Sequence, residues 1–319
     1  MFVSVITCTY RSDNYQNLLD VVASLLNQTY PGMEIIIVVD GNERLREKIA
    51  TSYNAQGNIK VIASEESVGV SGARNLGIRK AKGDIIAFLD DDAVADKRWI
   101  EGLVNTYQKS DTIAVGGKIL PIWLQKRPDY LPEELYWLVG LTYKGFSKEG
   151  VTEVRNPLGP NMSFKREVFE KVGSFNQGFG FTGKGASYMQ GEEAELASRM
   201  KNKLGRGTVY NPELIVYHKV PASKTKLGIL LKRAFYQGYT KALLKRISSS
   251  PKPLATEESY LKDLLLRCIP QKMKELVLGT GSVANAKQLL VLFASILAVG
   301  LGFIYGYLKS GLTKGELHE

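Results

Sequence analysis

Short apolar runs alternate with helical patterns in the N-terminal part of the chain. Four runs rich in β-branched residues predict strands, at residues 2–9, 34–39, 59–63 and 84–89. Apolar residues at helical spacing predict helices at residues 17–27 and 71–82. Strands that alternate with helices in this way favour a parallel, doubly wound sheet. The predicted fold class is therefore α/β, with a mostly parallel central sheet.

The pattern after residue 120 is less regular and contains several prolines. It predicts two further helices, a glycine-rich loop and a short strand, at residues 166–172, 191–203, 175–185 and 214–217 respectively. Beyond these come a basic, apolar helical stretch, a linker and a second mixed helix, at residues 224–246, 248–253 and 260–278. The chain therefore changes character near residue 220.

Residues 224–246 combine an apolar stripe with basic side chains. Leu227, Leu230 and Leu231 fall on one side of the predicted helix, whereas Arg233 lies largely away from that side. This pattern is typical of a helix that lies in a membrane interface. It is equally compatible with a helix docked on the N-terminal domain, with its basic face in solvent. Both interpretations stay open at this point.

Residues 288–308 contain no charged side chain and consist mainly of apolar residues. A helix of about 20 residues spans the hydrocarbon core of a bilayer, which is about 30 Å thick. Tyr305 and Tyr307 lie near one end, where aromatic side chains often meet the membrane surface. A buried core helix is the alternative, but core helices rarely stay apolar on every face over this length. We therefore expect this segment to cross a membrane.

Lysine and arginine are dense before the apolar segment and sparse after it. Because positive charge is retained on the cytoplasmic side, we expect the large N-terminal part in the cytoplasm and the short C-terminus outside. The expected protein is single-pass in the cell membrane. Its parts are a catalytic domain, basic amphipathic helices, a transmembrane helix and a tail, at residues 1–222, 223–282, 283–309 and 310–319. Gly302 and Gly306 form a small-xxx-small pair, so a homodimer through this helix is a further option.

The composition narrows the range of partners. The formal net charge is +10, and much of the excess lies after residue 200. This distribution favours an anionic membrane surface, and without a zinc-finger or RNP-like motif we expect no nucleic-acid partner. The two cysteines, Cys8 and Cys268, offer neither a disulfide framework nor a metal site, which predicts a reducing compartment. The N-terminus runs straight into a predicted strand, so we expect no secretory signal.

Polar clusters follow three of the predicted strands. They are Thr9-Tyr10-Arg11, Asp40-Gly41-Asn42 and Asp90-Asp91-Asp92. Ligands of parallel α/β sheets bind at the carboxyl ends of the strands, so these clusters should lie together. Three adjacent carboxylates repel each other unless a cation neutralises them, and Mg²⁺ prefers carboxylate oxygens together with substrate phosphates. The triplet therefore predicts a site for a divalent metal, Mn²⁺ or Mg²⁺.

Five motifs, in order within residues 2–220, resemble those of family 2 glycosyltransferases. They are Asp40-Gly41-Asn42, residues 72–75 (GARN), residues 83–92 (GDIIAFLDDD), residues 159–166 (GPNMSFKR) and Gly191-Glu192-Glu193. The resemblance implies the GT-A fold. It also implies a metal-dependent, inverting transfer of a sugar from a nucleotide-sugar, most often a UDP-sugar, to an acceptor hydroxyl.

The same resemblance implies roles for individual residues. The nucleotide-sugar pocket would be formed by Thr9, Tyr10, Arg11, Asp40, Arg74, Asp84, Asp90 and Asp91. The metal would be held by Asp92, the expected direct ligand, together with Asp90 and His218. Two alternatives stay open. Arg74 could instead pair with a carboxylate such as Asp84, and His218 could make only a backbone hydrogen bond at the end of its strand.

The motif Gly191-Glu192-Glu193 departs from the family pattern, which usually has Glu-Asp at its second and third positions. The family's Asp acts as general base on the acceptor hydroxyl, so the resemblance implies this role for Glu193. The longer side chain of glutamate shifts the carboxylate, which leaves Glu192 as the alternative base. An acidic first turn that is favoured by the helix dipole is the non-catalytic interpretation.

Other functions fit the sequence less well. A dehydrogenase needs a Gly-x-Gly-x-x-Gly turn after the first strand, where this chain has Thr-Cys-Thr-Tyr-Arg-Ser. A processive polysaccharide synthase would carry a Gln-x-x-Arg-Trp motif and several membrane segments. A membrane protein with this fold but without catalysis stays open. The apolar segment and the basic helix favour an acceptor on a polyprenyl or dolichyl phosphate, with a soluble or protein acceptor as the alternative.

Overall fold

The four β-branched runs near the N-terminus form the parallel part of one sheet. The computed structural model describes residues 1–53, 56–147, 150–180, 190–247 and 253–312. Its first strands are β1 (Val3–Thr9), β2 (Met33–Asp40), β3 (Ile59–Ser64) and β4 (Ile85–Phe88), which lie in the order β3-β2-β1-β4. All three pairings among them are parallel. Inner parallel strands are covered on both faces, and the apolar residues 35–39 of β2 are accordingly fully buried.

The remaining strands make the sheet mixed. They are β5 (Ala93–Ala95), β6 (Ala114–Trp123), β7 (Thr152–Val154), β8 (Met162–Lys165) and β9 (Thr208–Val220). The sheet continues from β4 in the order β8-β6-β9-β5, and β7 pairs with β9. The pairs β4–β8, β6–β8, β5–β9 and β7–β9 are antiparallel. The parallel arrangement therefore describes the four N-terminal strands, and the antiparallel part of the sheet is formed by β5 to β9 with β4.

Helices cover both faces of this sheet. They are α1 (Tyr15–Leu26), α2 (Glu43–Tyr53), α3 (Gly69–Lys80), α4 (Trp99–Lys109), α5 (Arg166–Val172) and α6 (Glu192–Leu204). Alternate residues of the strands enter two apolar clusters, one with α1, α2 and α4 and the other with α3, α5 and α6. Predicted helices became α1, α3, α5 and α6, whereas α2 and α4 were not predicted. Of the predicted glycine-rich loop, residues 181–185 lie outside the described residues.

The described residues divide into two compact units. The first consists of Met1–Ile122, the described part of Glu149–Ser187, and Glu192–Lys219. The second consists of the described parts of Trp123–Lys148, Tyr188–Gly191 and the chain from Val220 onward. The first unit contains the sheet edge that carries the predicted chemistry.

The second unit is helical in its C-terminal part. A 3₁₀ helix spans Glu133–Val139, followed later by α7 (Ala222–Thr225) and α8 (Leu227–Ile247). Next come α9 (Ala255–Asp263), a π-helical turn (Leu264–Cys268), α10 (Ile269–Val277) and α11 (Val283–Leu312). The predicted helix at residues 260–278 therefore begins earlier, at Ala255. Residues 248–252 of the predicted linker lie outside the described residues.

Helix α8 packs closely against α11. A Cβ atom at Gly302 would overlap the backbone of Phe235, and one at Gly238 would overlap the carbonyl of Val299. A Cβ at Gly306 would lie 3.0 Å from Tyr239 and Ala242. The small-xxx-small pair of the sequence thus seats a helix of the same chain, because small residues allow two helix backbones to approach. Within its unit, the basic stretch at residues 224–246 therefore packs against α11.

Helix α11 is long and apolar enough over Val283–Lys309 to cross a membrane, and only 28% of its most apolar stretch is buried. One side of the helix, with Val291, Leu292 and Ser295, is buried. The exposed side is also apolar and includes Leu290, Leu297 and further residues along the helix. A helix that is apolar on its exposed side is typical of one that faces lipid.

The close contact between α8 and α11 leads to a first prediction. We expect Gly302→Leu to separate the helices and to lower the free energy of unfolding by about 1–3 kcal/mol, because the added atoms have no space. Gly300→Leu on the same helix is the matched control, since no described atom lies within 4 Å of a Cβ there. Thermal unfolding in detergent, followed by circular dichroism, measures the difference. Equal midpoints for the two variants would contradict this packing.

Candidate active site

The carboxyl ends of the parallel strands collect most of the predicted site residues. Thr9 ends β1, Asp40 ends β2, and the aspartate triplet follows β4. The antiparallel pair β5–β9 adds His218, which lies opposite Ala93 in the register. This pairing carries the backbone of Asp92 to β9, where its carbonyl accepts a hydrogen bond from the Lys219 N–H at 2.9 Å.

Asp90, Asp92 and His218 form a group of potential metal ligands. One donor atom from each lies within 4.8 Å of the other two. His218 Nε2 lies 2.9 Å from Asp92 Oδ1, and the imidazole is almost fully buried. Two carboxylates and an imidazole are a donor set that Mn²⁺ accepts, and Mg²⁺ accepts its carboxylates. This part of the sheet edge can therefore hold a divalent metal ion.

Arg74 is buried and lies among three carboxylates. It is carried by α3 and is 4% exposed. Its Nη1 lies 2.9 Å from Glu192 Oε1 and 4.0 Å from Glu193 Oε1, and its Nη2 lies 3.4 Å from Asp90 Oδ1. The guanidinium therefore connects the carboxylates at the start of α6 with the aspartate triplet. The ring of Phe175 lies 5.6 Å from it.

The two glutamates differ in how strongly they are held. Both lie in the first turn of α6, after Gly191, whose φ of +115° favours glycine. Glu192 makes the short ion pair with Arg74, whereas Glu193 is more exposed, at 16% of its side chain. Burial, and then the charge of Glu192, raises the pKa of Glu193 to about 8. A Cβ at Gly159 would lie 2.6 Å from Glu193 Oε1, so the Gly159 motif makes room for this carboxylate.

Asp40 is occupied by the loop that leads into α3. Its carboxylate accepts hydrogen bonds from Ser64 Oγ at 2.9 Å and Ser67 Oγ at 3.0 Å. It also accepts the backbone N–H groups of Val68 at 2.7 Å and Gly69 at 3.0 Å. Asp40 therefore stabilises the start of the helix that carries Arg74. The serines of this loop were not predicted from the sequence, because their partner lies on another strand.

The cluster Thr9-Tyr10-Arg11, which follows β1, contains both buried and exposed residues. Thr9 is buried, Tyr10 is 42% exposed, and Arg11 forms an exposed ion pair with Asp13. The Tyr10 carbonyl accepts a hydrogen bond from Asn42 Nδ2 at 3.1 Å, which connects the loops after β1 and β2.

Asp91 lies between the ends of the aspartate triplet. Burial, and then the charge of Asp92, raises the pKa of its carboxyl to about 7. Hydrogen bonding from Thr9 and Asn14 opposes this rise. The three aspartates therefore have different surroundings, although they are adjacent in the sequence.

Asp84 is not brought together with the other predicted residues. It precedes β4, whereas Asp90 follows it, so the two lie at opposite ends of that strand. Asp84 Oδ2 accepts a hydrogen bond from the Phe2 N–H at 2.8 Å. Arg74 accordingly finds its carboxylate partners in Asp90 and Glu192 and not in Asp84.

Asn161 and Lys219 support the site from outside it. Asn161 is fully buried, accepts the indole N–H of Trp99 at 3.0 Å, and donates to the Leu214 carbonyl at 2.8 Å. Lys219 Nζ donates to Asn17 Oδ1 at 3.0 Å. The bond from Asn161 to Leu214 and the bond from Lys219 to Asn17 both hold β9, the strand that carries His218. Asn161 lies in the motif at residues 159–166, but its partners are distant in the sequence and could not be predicted from it.

Comparison with known proteins agrees with this geometry. Residues 4–173, more than half of the chain, match the family described as Glycosyl transferase family 2. The chain belongs to this family and is a glycosyltransferase. A Haloferax volcanii protein, "Glucosyl-dolichyl phosphate glucuronosyltransferase", is 38% identical over 315 residues, which cover 98% of this chain and 99% of that protein.

Two solved structures share the fold of this chain. The mannosyltransferase PcManGT from Pyrobaculum calidifontis, in complex with GDP-Man and Mn²⁺, superposes with a TM-score of 0.59 at 19% identity. The match covers 98% of this chain and 88% of that one. TarS 1–349 of S. aureus, in complex with UDP, gives a TM-score of 0.52 at 15% identity, covering 99% of this chain and 93% of TarS. The predicted GT-A fold is confirmed.

The group of potential metal ligands leads to a second prediction. We expect Asp92→Asn to weaken metal-dependent nucleotide binding by at least about tenfold, because loss of even an outer-shell partner has an effect of that size. Titration calorimetry with UDP, with and without Mn²⁺, measures the change. The matched control is Asp111→Asn, since the side chain of Asp111 is 90% exposed and lies outside this cluster. Unchanged metal-dependent affinity in Asp92→Asn would exclude Asp92 as a ligand.

The unequal glutamates lead to a third prediction. We expect Glu193→Gln to reduce turnover about a hundredfold or more with little change in donor affinity, because the amide cannot accept a proton. The same substitution should stabilise the fold increasingly from about pH 4.5 to pH 8. Over this range the unfolded chain ionises Glu193 while the folded protein, with its raised pKa, resists ionisation. Turnover is measured with Mn²⁺ present, and unfolding midpoints are measured at both pH values on metal-free protein.

Glu192→Gln is the matched comparison at the neighbouring position. It removes the short ion pair of the buried Arg74, and breaking a buried pair in this way costs about 3–5 kcal/mol. We therefore expect this variant to unfold at a lower temperature than the unsubstituted chain. If Glu192→Gln were stable and inactive while Glu193→Gln stayed active, the roles of the two glutamates would be exchanged.

Proposed function

We propose that this glycosyltransferase moves a sugar from a nucleotide-sugar to a hydroxyl of a glycan on dolichyl or another polyprenyl phosphate. The proposed donor is a UDP-sugar, since UDP is the commonest carrier in the family. The observation that supports this transfer best is the contact of Arg74 with both Asp90 and Glu192, beside Glu193. This contact puts a carboxylate that can accept a proton next to a group that can hold a metal ion. Activating a hydroxyl and neutralising a diphosphate are the two tasks that sugar transfer requires.

Glu193 is the proposed general base. Glu192 is held in a short ion pair with Arg74, whereas Glu193 lies farther from the guanidinium and is more exposed. Glu193 would take the proton of the acceptor hydroxyl while the hydroxyl oxygen attacks the anomeric carbon of the donor. The bond from that carbon to the diphosphate breaks in the same displacement, which inverts the configuration. The raised pKa makes Glu193 a stronger base than an ordinary carboxylate, and it is ionised mainly at pH values above about 8.

The leaving diphosphate needs positive charge. A Mn²⁺ or Mg²⁺ ion held by Asp92, Asp90 and His218 would supply it when bound. In the same proposal, Thr9, Tyr10, Arg11, Asp40, Arg74 and Asp91 border the donor nucleotide, some directly and some by holding the loops around it. Asp84 has no part in this proposal, because it lies at the other end of β4.

The acceptor is proposed from the relative and from the C-terminal helices. The Haloferax protein, whose name refers to glucuronosyl transfer and to glucosyl-dolichyl phosphate, matches nearly the whole chain, including α8 to α11. A similar lipid-linked acceptor requires an enzyme that stays at the membrane, and α11 is long and apolar enough to hold it there. Nucleotide-linked glucuronate is therefore the first donor to test.

We further propose that α11 crosses the cell membrane once, with the catalytic unit on the cytoplasmic side. Lysine and arginine are concentrated before α11, and the positive-inside rule keeps such segments cytoplasmic. Nucleotide-sugars are charged and do not cross a bilayer unaided, so a cytoplasmic catalytic unit has direct access to its donor.

The fourth prediction tests the reaction. Full-length protein in vesicles receives UDP- and GDP-linked sugars in turn, with Mn²⁺, Mg²⁺ or a chelator, and with glucosyl-dolichyl phosphate or a soluble glucoside as acceptor. We expect metal-dependent nucleotide release and a lengthened lipid-linked glycan with one donor. Transfer to the soluble glucoside but not to glucosyl-dolichyl phosphate would contradict the proposed lipid-linked acceptor. Absence of both transfer and hydrolysis with every donor would favour a membrane protein without catalysis.

The same assay tests the orientation. Inside-out vesicles expose the cytoplasmic face, so added donor should be consumed without detergent. Sealed right-side-out vesicles should become active only after permeabilisation. The reverse pattern would contradict a cytoplasmic catalytic unit, without affecting the proposed chemistry.

A further inference from the structure

A second row of exposed apolar side chains lies on the helix that precedes α11. α9, the π-helical turn and α10 follow each other without a break from Ala255 to Val277. The exposed apolar residues of this segment, which we call the α9–α10 stripe, are Leu261, Leu265, Leu266, Met273 and Val277. Leu266 is 73% exposed and Val277 is 85% exposed. Such exposure is unusual for large apolar side chains unless a partner covers them.

The π-helical turn keeps this stripe on one side of the helix. Leu261 and Val277 are separated by about 160° in a regular α-helix, which has about 3.6 residues per turn. A π turn accommodates one extra residue, so the separation falls to about 60°. The turn at Leu264–Cys268 therefore aligns the apolar residues of α9 with those of α10.

The stripe is not needed to pack the helix against its own unit. That contact is made by another side, where Leu264 and Ile269 are buried. On that side Tyr260 donates a hydrogen bond to the carbonyl of Glu134, and Cys268 Sγ lies 3.3 Å from Glu134 Oε1. The helix thus has one apolar side that holds the fold and an adjacent one that faces outward.

Basic side chains accompany the stripe. Lys262, Arg267 and Lys274 are exposed on the same helical segment, and so are the acidic residues Glu258 and Asp263. The Arg267 side chain is 84% exposed and pairs with Asp263. An exposed apolar stripe beside lysine and arginine is the pattern of a helix that lies in the headgroup region of an anionic bilayer.

Hydrogen bonds hold α10 beside the first turns of α11. Lys272 Nζ donates to Gln288 Oε1 at 3.0 Å, and Asn285 Nδ2 donates to Glu275 Oε2 at 3.0 Å. Gln288 is the first residue of the uncharged run in α11. The stripe therefore lies at the level where α11 would enter the hydrocarbon. Both helices expose apolar side chains, among them Val277 on α10 and Leu290 on α11.

We propose that the segment Ala255–Val277 lies in the headgroup region of an anionic lipid bilayer, with the α9–α10 stripe inserted among the acyl chains. This inference rests on the proposed attachment of α11 to the membrane and adds a second contact to it. α8 was the other candidate for an interfacial helix. Its residues Leu230, Ala234 and Gly238 are buried in the packing of this unit, so α9 and α10 offer the larger free apolar surface.

The test uses the full-length chain in vesicles that contain anionic phosphatidylglycerol and a lipid with a photoactivatable group on its acyl chain. Cross-linked residues are mapped by mass spectrometry after illumination. We expect labels on the stripe, at residues 261–277, as well as on α11. Labels on α11 alone would overturn the present proposal and leave the attachment of α11 intact. Absence of labels on α11 would contradict the attachment itself, so the two failures are distinguishable.

A pair of double variants gives the second measurement. Leu266→Glu with Val277→Glu should abolish the labels at residues 261–277 and leave those on α11, because charged side chains cannot stay among acyl chains. Leu124→Glu with Val151→Glu makes the same charge change at exposed apolar positions elsewhere and should leave all labels unchanged. Neutral phosphatidylcholine vesicles should reduce the labels on the stripe. Equal labelling of the stripe in both lipids, or in both double variants, would overturn the proposal.

Discussion

The candidate active site depends on one buried charge, the guanidinium of Arg74. Two glutamates and an aspartate lie within 4.0 Å of it, although they come from different parts of the chain. Several carboxylates at one poorly hydrated site would repel each other, and a buried arginine without partners would be equally costly. Each is tolerated only because the other is present. This mutual requirement positions the start of α6 against the end of β4, and a donor and an acceptor would have to meet there.

The rest of the first unit holds this cluster in place. Asp40 accepts hydrogen bonds from the loop that begins α3, so a carboxylate at the end of one strand orients the helix that carries Arg74. The antiparallel pair β5–β9 brings His218 beside Asp92, and Asn161 anchors β9 through the Leu214 carbonyl. The parallel strands thus supply the loops with acidic residues, and the antiparallel strands supply the histidine. A mixed sheet is what allows both to meet at one edge.

The second unit contains α11, the helix proposed to hold the protein at a membrane. Glycines at positions 238 and 302 allow α8 to approach the backbone of α11 closely, so the apolar helix is held by the fold on one side and exposed on the other. The exposed side of α11 and the α9–α10 stripe together give a broad apolar surface with basic residues near it. An enzyme with a lipid-linked acceptor benefits from such a surface, because confinement to the bilayer raises the local concentration of its substrate.

The sequence by itself determined the elements whose cause is local. Continuous apolar runs predict buried parallel strands, an uncharged run of membrane length predicts α11, and motifs in order predict the family. The motifs also placed Asp84 in one pocket with Asp90, and here the structure differs, because one residue precedes β4 and the other follows it. Only the tertiary structure decided which carboxylates Arg74 meets, that β9 brings His218 to Asp92, and that α8 packs on α11. These contacts join residues far apart in the chain, and periodicity carries no information about such pairs. Short strands such as β5 and β7 escaped prediction for the same reason, since their pairing partners stabilise them more than their own residues do.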